Sequence, residues 1–209
     1  MLGFTDIILT PHYITDYYEN SGKNIKLLKN SLQKIVDEQQ IGIRLHEGME
    51  VYLAEEIETL IKNGEIITLA NSNYILIEFP MNSIARYVDD ILFLLKNMGY
   101  QVIIAHPERY KFVQEDIGYA QKWVEHGCLL QANYGSIVES YGKEAKKTLK
   151  KLLKLNLISF LGTDTHRQGT IYSEIPLILK KLKKYISEEK IYELTEINPK
   201  KILENEVII

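Results

Sequence analysis

Short apolar runs and longer amphipathic stretches alternate along the chain, and that alternation predicts its architecture. Runs at residues 5–10, 41–45, 74–79, 100–105, 128–133 and 157–161 have the length and content of buried strands. Between them, residues 24–39, 54–63, 84–98, 115–126 and 143–156 repeat apolar positions at helical spacing. Over 24–39 the predicted inner face is Ile25, Leu28, Leu32, Ile35 and Val36. Gly64, Gly99 and Gly127 follow three of these stretches, where a helix end favours glycine. The tail from about Ser173 reads as helical. Strands alternating with helices imply a parallel sheet with right-handed crossovers.

A second regularity sits at the strand ends. His12, Glu50, Glu78, His106, Asn133 and Asp164 each close or follow an apolar run, at intervals of 38, 28, 28, 27 and 31 residues. One βα unit takes about 30 residues. Polar groups placed once per unit, at the carboxyl ends of parallel strands, converge on one rim. That is where a (β/α) barrel carries its active site. An open doubly wound sheet would draw its ligands from two or three strands at one switch point, so six contributing ends favour the barrel.

Composition narrows the setting. The chain has 209 residues, 45% of them hydrophobic, which is enough for one sizeable core, and 1–209 is expected to be a single domain. The net charge of -3 and the absence of a basic stripe argue against nucleic acid as a partner. The lysine-rich run 146–154 has Leu149, Leu152 and Leu153 interleaved, as on the solvated side of an amphipathic helix. Cys128 is the one cysteine, so neither a disulfide framework nor a cysteine–zinc site can form. No apolar stretch nears the ~20 residues of a membrane span, and no signal pattern opens the chain. A cytoplasmic protein without direct membrane insertion is expected.

The candidate chemistry lies in LTPHY (His12), GMEVY (Glu50), LIEFP (Glu78), AHPERY (His106, Arg109) and GTDTH (Asp164, His166). Imidazoles and carboxylates without thiolates suit Mn, Fe, Zn or Mg. Carboxylates crowded at one place repel unless cations lie between them. Two metals bridged by a carboxylate relieve that repulsion, activate water near neutral pH and clamp a phosphoryl group. Each residue has a plainer reading alone: His12 as a turn residue, Glu50 as a surface carboxylate with Glu47 competing for its role, Arg109 as an ion-pair partner. Glu78 between Ile77 and Phe79 is the hardest to dismiss, because carboxylates are rarely buried without a partner. His46 and His126 read as incidental. A cysteine-nucleophile phosphatase is excluded, since Cys128 is followed by LLQANYG with no arginine. No G-x-S-x-G elbow, P-loop or G-x-G-x-x-G is found.

At these residues the chain resembles the PHP (polymerase and histidinol phosphatase) protein-tyrosine phosphatases of bacterial capsule and exopolysaccharide operons. TPHY, GMEVY, YILIEFP, VIIAHPERY, HGCLLQAN, YGKEAKKTLKKL and FLGTDTH carry the likeness, which runs from about Gly3 to NPKKILEN. The resemblance implies a PHP-type distorted (β/α)7 TIM-like barrel. It implies metal-dependent hydrolysis of phosphotyrosine, on an autophosphorylated bacterial tyrosine kinase. It implies two or three divalent ions, manganese foremost. Glu50 would bridge two of them, Glu78 and His106 would hold one, Asp164 the other, and His12 and His166 the third. Arg109 would meet the substrate phosphate as the catalytic residue. Family members open on a strand carrying D-x-H-x-H, then a D-D-G segment and a first helix. This chain starts at MLGFTDIILTPH, level with the second strand. The expectation is therefore a barrel lacking its first β-strand and helix, an incomplete metal set and an unpaired sheet edge, with room for a homo-oligomer. Two alternatives stand: a phosphoesterase for a small monoester such as histidinol phosphate, and a catalytically impaired binding or regulatory relative.

Overall fold

The computed structural model describes residues 3–166 and 171–208. Its centre is a parallel sheet. The first strand is interrupted into β1 (Asp6–Leu9) and β2 (His12–Ile14), with Pro11, which has no N–H to offer a ladder, just before the second half. The second is likewise interrupted into β4 (Arg44–Glu47) and β5 (Glu50–Tyr52). Asp6 pairs with Arg44 and His12 with Glu50, so both halves keep one register across the interruption. Gly48 sits at the break because a Cβ there would lie 2.9 Å from both Ile8 and Leu69.

From β5 the ladder continues in parallel through β6 (Tyr74–Glu78), β7 (Gln101–Ala105), β8 (Leu129–Asn133) and β9 (Phe160–Gly162). A short β3 (Tyr18–Glu19) folds back antiparallel on β2. β6 is buried along its whole length, which explains why it reads as an unbroken apolar run. Val51, Ile75, Ile77, Val102, Ile104, Leu130 and Ala132 pack on the helical side. That side is covered by α2 (Ile57–Lys62), α3 (Val88–Asn97), α5 (Gly118–Glu125) and α6 (Gly142–Lys154). Tyr74, Leu76, Ile103, Ala105 and Phe160 face the other way and form a smaller cluster with Leu69 and Ile202. Among the described residues, the outer edges of β1 and β9 have no ladder partner.

Three expectations need correction. α1 (Gly22–Glu38) forms with Ser21 as its cap, but it is rolled away from the predicted face. Ile25 is buried, whereas Leu28, Leu32 and Ile35 are 68%, 41% and 49% exposed. Gln33 fixes the roll: its amide donates to the Ile43 carbonyl and accepts from the Leu45 N–H, while Lys29 pairs with Glu47. Second, the strand expected at 41–45 is displaced toward its rim end, at Arg44–Glu47 and Glu50–Tyr52. Third, the helix expected at 115–126 begins later, as α5 at Gly118, because Asp116 is extended and ends a separate short α4 (Lys111–Glu115) ahead of it. The tail holds α7 (Ile171–Leu182), α8 (Glu188–Tyr192) and α9 (Asn198–Glu204). No helix among the described residues is long and apolar enough to cross a membrane.

Candidate metal centre

All seven predicted site residues meet at one rim, in two adjoining groups, with His12 and Glu50 at the breaks in the first two strands and the others at or past strand carboxyl ends. In the first, Glu50 opens β5, Glu78 closes β6 and His106 follows β7. His106 Nε2 is 2.9 Å from Glu50 Oε1 and 3.4 Å from Glu78 Oε1. The other oxygens of the same carboxylates face His12, whose Nδ1 is 3.7 Å from Glu50 Oε2 and 3.4 Å from Glu78 Oε2. Each carboxylate thus spans two imidazoles.

The second group is centred on Asp164, just past β9. Its Oδ2 accepts from Arg109 Nη1 and Asn133 Nδ2, both at 2.7 Å. The Tyr141 hydroxyl stands 3.5 Å from the same oxygen. His166 joins the groups: its Nδ1 is 3.3 Å from Asp164 Oδ1 and its Nε2 is 2.9 Å from His12 Nε2.

Burial and charge set the proton positions. Burial disfavours charge on His106, but hydrogen bonds to Glu50 and Glu78 outweigh it and raise the imidazole to about 9. Burial pushes Glu78 upward, but hydrogen bonds from His106 and His12 reverse this and hold it at about 2. His12 is raised, chiefly by its hydrogen bond to Glu78. The two imidazoles serve as counter-charges for the two carboxylates.

The donor set fits a divalent cation. Ligand atoms of His12, Glu50 and Glu78 lie within 4.8 Å of one another. His12 Nδ1 is buried and turned toward two carboxylate oxygens, 3.4 Å from Glu78 and 3.7 Å from Glu50. An imidazole nitrogen and hard oxygen donors, with no thiolate, match Mn, Fe, Zn or Mg. The competing residues lie elsewhere: Glu47 is paired with Lys29, His46 with Asp6, and His126 ends α5, where its carbonyl accepts from Lys96.

Two contributors escaped the sequence reading. Glu108, between His106 and Arg109, is fully buried, and its Oε1 accepts from Asn133 N at 2.9 Å and Ser136 Oγ at 2.7 Å. Burial pushes its carboxyl above the ordinary value. A carboxylate one residue past a proline that ends an apolar strand was the available signal. Tyr141 lies under Arg109, with the guanidinium carbon 4.5 Å from the ring centroid. Nothing in the sequence pattern marks it among 14 tyrosines.

A parallel α/β sheet with a histidine–carboxylate cluster and an arginine at one rim defines a class, that of metal-dependent phosphoester chemistry. Residues 2–204 match the family described as capsular polysaccharide synthesis, CpsB/CapC, and the chain belongs to it. It is 33% identical over 210 residues to CapC of Staphylococcus aureus, covering 98% of this chain and 80% of that protein. It is 31% identical over 206 residues to the tyrosine-protein phosphatase YwqE of Bacillus subtilis strain 168, covering 99% and 81%. A solved structure from work on YwqE and on CpsB of Streptococcus pneumoniae superposes with a TM-score of 0.93 at 30% identity. The match covers 100% of this chain and 84% of that one, and those proteins are described as unique metal-dependent tyrosine phosphatases. The resemblance drawn from the motifs is borne out at the level of the family and of the parallel α/β fold.

Proposed function

We propose that this chain hydrolyses phosphotyrosine in proteins by a divalent-metal-dependent route, in the cytoplasm, with a bacterial tyrosine kinase as its phosphorylated partner. The observation that carries this reading is the meeting of His12, Glu50, Glu78 and His106 beside the Arg109–Asp164 pair, together with relatives named as tyrosine-protein phosphatases. We read the fold as a PHP-type distorted barrel and the whole of 1–209 as one domain. The uncovered face of α1 leaves room for a homo-oligomer.

His12, Glu50, Glu78 and His106 would hold one part of the metal centre, and Asp164 with His166 the adjoining part. The family resemblance makes Glu50 the bridging candidate, and its two oxygens, like those of Glu78, face different imidazoles. Two or three divalent ions, manganese foremost, would supply water activated near neutral pH and charge beside the phosphoryl oxygens. Arg109 binds the phosphate through in-plane N–H donors, a charge-assisted contact that strengthens as charge develops on oxygen. Asn133 holds Asp164 by its Oδ2 and keeps the carboxylate from turning away.

The test is turnover of p-nitrophenyl phosphate and of a phosphotyrosine peptide with Mn, Fe, Zn and Mg, before and after chelation, for wild type and Glu50→Gln. We expect turnover that chelation abolishes, that metal restores and that Glu50→Gln lowers at least a hundredfold. Activity that survives exhaustive chelation defeats the reading. A strong preference for histidinol phosphate over the peptide moves the substrate to a small metabolite. No turnover with any metal favours the binding or regulatory relative.

A further inference from the structure

We propose that Tyr141 is a positioning residue for Arg109: its ring holds the guanidinium by the face and leaves the in-plane N–H donors free for an oxyanion. The inference rests on the phosphatase reading, which gives Arg109 the substrate phosphate.

Arg109 meets two groups in two different ways. Asp164 takes Nη1 edge-on at 2.7 Å. Tyr141 lies against the face, with Cζ 4.5 Å from the ring centroid, inside the ~6 Å reach of a cation–π contact. The distinction matters because a guanidinium offers its five donors only in its own plane. A carboxylate on that edge competes with phosphate for the donors, whereas a ring beneath the face does not. A guanidinium held before the ligand arrives also avoids the cost of ordering a long side chain on binding.

The ring is itself built into place from the opposite side. A Cβ on Gly135 would come 3.2 Å from Tyr141 Cε2 and 3.1 Å from Ser140 Cβ, so the ring packs closely against the Gly135 backbone. The turn behind it is closed by Ser140 N donating to the Gly135 carbonyl at 3.0 Å, with Glu139 left-handed at φ 69°. Arg109 is fixed at its other end, where its N–H donates to the His106 carbonyl at 2.9 Å. Ring and carboxylate together hold the guanidinium from its face and from one edge. Among the described residues, Tyr141 supplies the one aromatic ring set against the Arg109 guanidinium.

The experiment uses the metal-loaded full chain and three variants: Tyr141→Leu, which fills space without a π face, Tyr141→Phe, which keeps the face and loses the hydroxyl, and Arg109→Lys. Measured are kcat and KM for p-nitrophenyl phosphate, Ki for inorganic phosphate, phosphate affinity by calorimetry, and melting temperature. Tyr141→Leu is expected to raise KM, Ki and the phosphate Kd together by about tenfold, the factor that corresponds to ~1.4 kcal/mol. Tyr141→Phe is expected to return all three to within about threefold of wild type. In the Arg109→Lys background the Leu change should add under about twofold, because its effect runs through the guanidinium. If Tyr141→Leu does not fold, Tyr141→Met replaces it in the same comparison. Unmoved phosphate constants in the Leu or Met variant, or a Phe variant as impaired as Leu, overturn the proposal. Full additivity with Arg109→Lys overturns it as well. A wild type without metal-dependent turnover sinks the phosphatase reading instead, and calorimetry with phosphate still decides the role of Tyr141.

Discussion

Glu108 offers the sharpest test of how the rim is held. Its carboxyl is fully buried, and one oxygen receives both the Asn133 N–H at 2.9 Å and the Ser136 hydroxyl at 2.7 Å. In Glu108→Ala both donors stay buried with no acceptor, at ~1–3 kcal/mol each. A loss of ~4 kcal/mol lies in the middle of that range. At ~2–4 °C per kcal/mol for a domain of this size, the melting temperature should fall by about 8–16 °C. Glu108→Gln keeps the shape and an acceptor oxygen. Its NH2 would stand where Oε2 is buried without a partner, so Gln should cost ~1–3 kcal/mol, less than Ala. The functional consequence is separable from melting. Asn133 carries the N–H that Glu108 holds and the side chain that holds Asp164. Glu108→Ala should therefore weaken metal binding severalfold at 15 °C, far below its own transition. The assay is thermal melting of the chelated full chain, followed by metal titration calorimetry. An Ala variant that melts within ~2 °C of wild type, or a Gln variant as unstable as Ala, would refute the reasoning.

Two further expectations concern the centre itself. His106 is raised to about 9, so in the metal-free protein its imidazole holds a proton at pH 7 that a cation must displace, and His12 is shifted in the same direction by Glu78 and Glu50. Metal affinity should climb between pH 6 and 9, by up to about tenfold per pH unit for each proton released, and titrations in buffers of different ionisation heat should report that release; a flat profile counts against His106 and His12 as ligands. Arg109→Lys keeps the charge but loses both the planar fork and the face that rests on Tyr141, so kcat/KM should drop about 10²- to 10³-fold at unchanged melting temperature, and a variant within threefold of wild type would remove Arg109 from the phosphate site.

What the sequence discloses and what it withholds follow one physical divide. The parallel strands are legible because their side chains must satisfy burial on both faces, as in Tyr74–Glu78, where every residue is buried. The rim is legible because parallel strands share a direction, so one polar residue per strand end is enough to mark it. The roll of α1 is not legible, since periodicity gives an apolar stripe but not the partner it meets. Gln33, a polar residue off that stripe, bonds Ile43 and Leu45 and decides which face turns inward. The roles of Glu108 and Tyr141 are hidden for a related reason: they lie in what these residues support, Asn133 and Arg109, and those contacts cross 25 and 32 residues of chain.

His106 shows how far strand logic carries and where the site departs from it. Along β7, Val102 and Ile104 point to the helical side while Ile103 and Ala105 point to the other. Alternation would send the next residue, position 106, to the helical side with Ile104, away from Glu50 and Glu78. The chain instead turns left-handed there, at φ 33° and ψ 53°, directly before Pro107. A non-glycine residue in that region costs ~1–3 kcal/mol and persists only where its surroundings compel it. Here the surroundings are explicit. The His106 N–H donates to the Gln131 carbonyl at 2.7 Å, the Arg109 N–H returns to the His106 carbonyl, and Glu108 locks the same loop to β8. The result is an imidazole swung over the strand end to within 2.9 Å of Glu50 Oε1. The same turn sets Arg109, three residues on, above Tyr141 and against Asp164. One strained residue thus orients both a metal-ligand candidate and the arginine proposed to meet the phosphate, which is why the buried support beneath this loop bears on the chemistry at the rim.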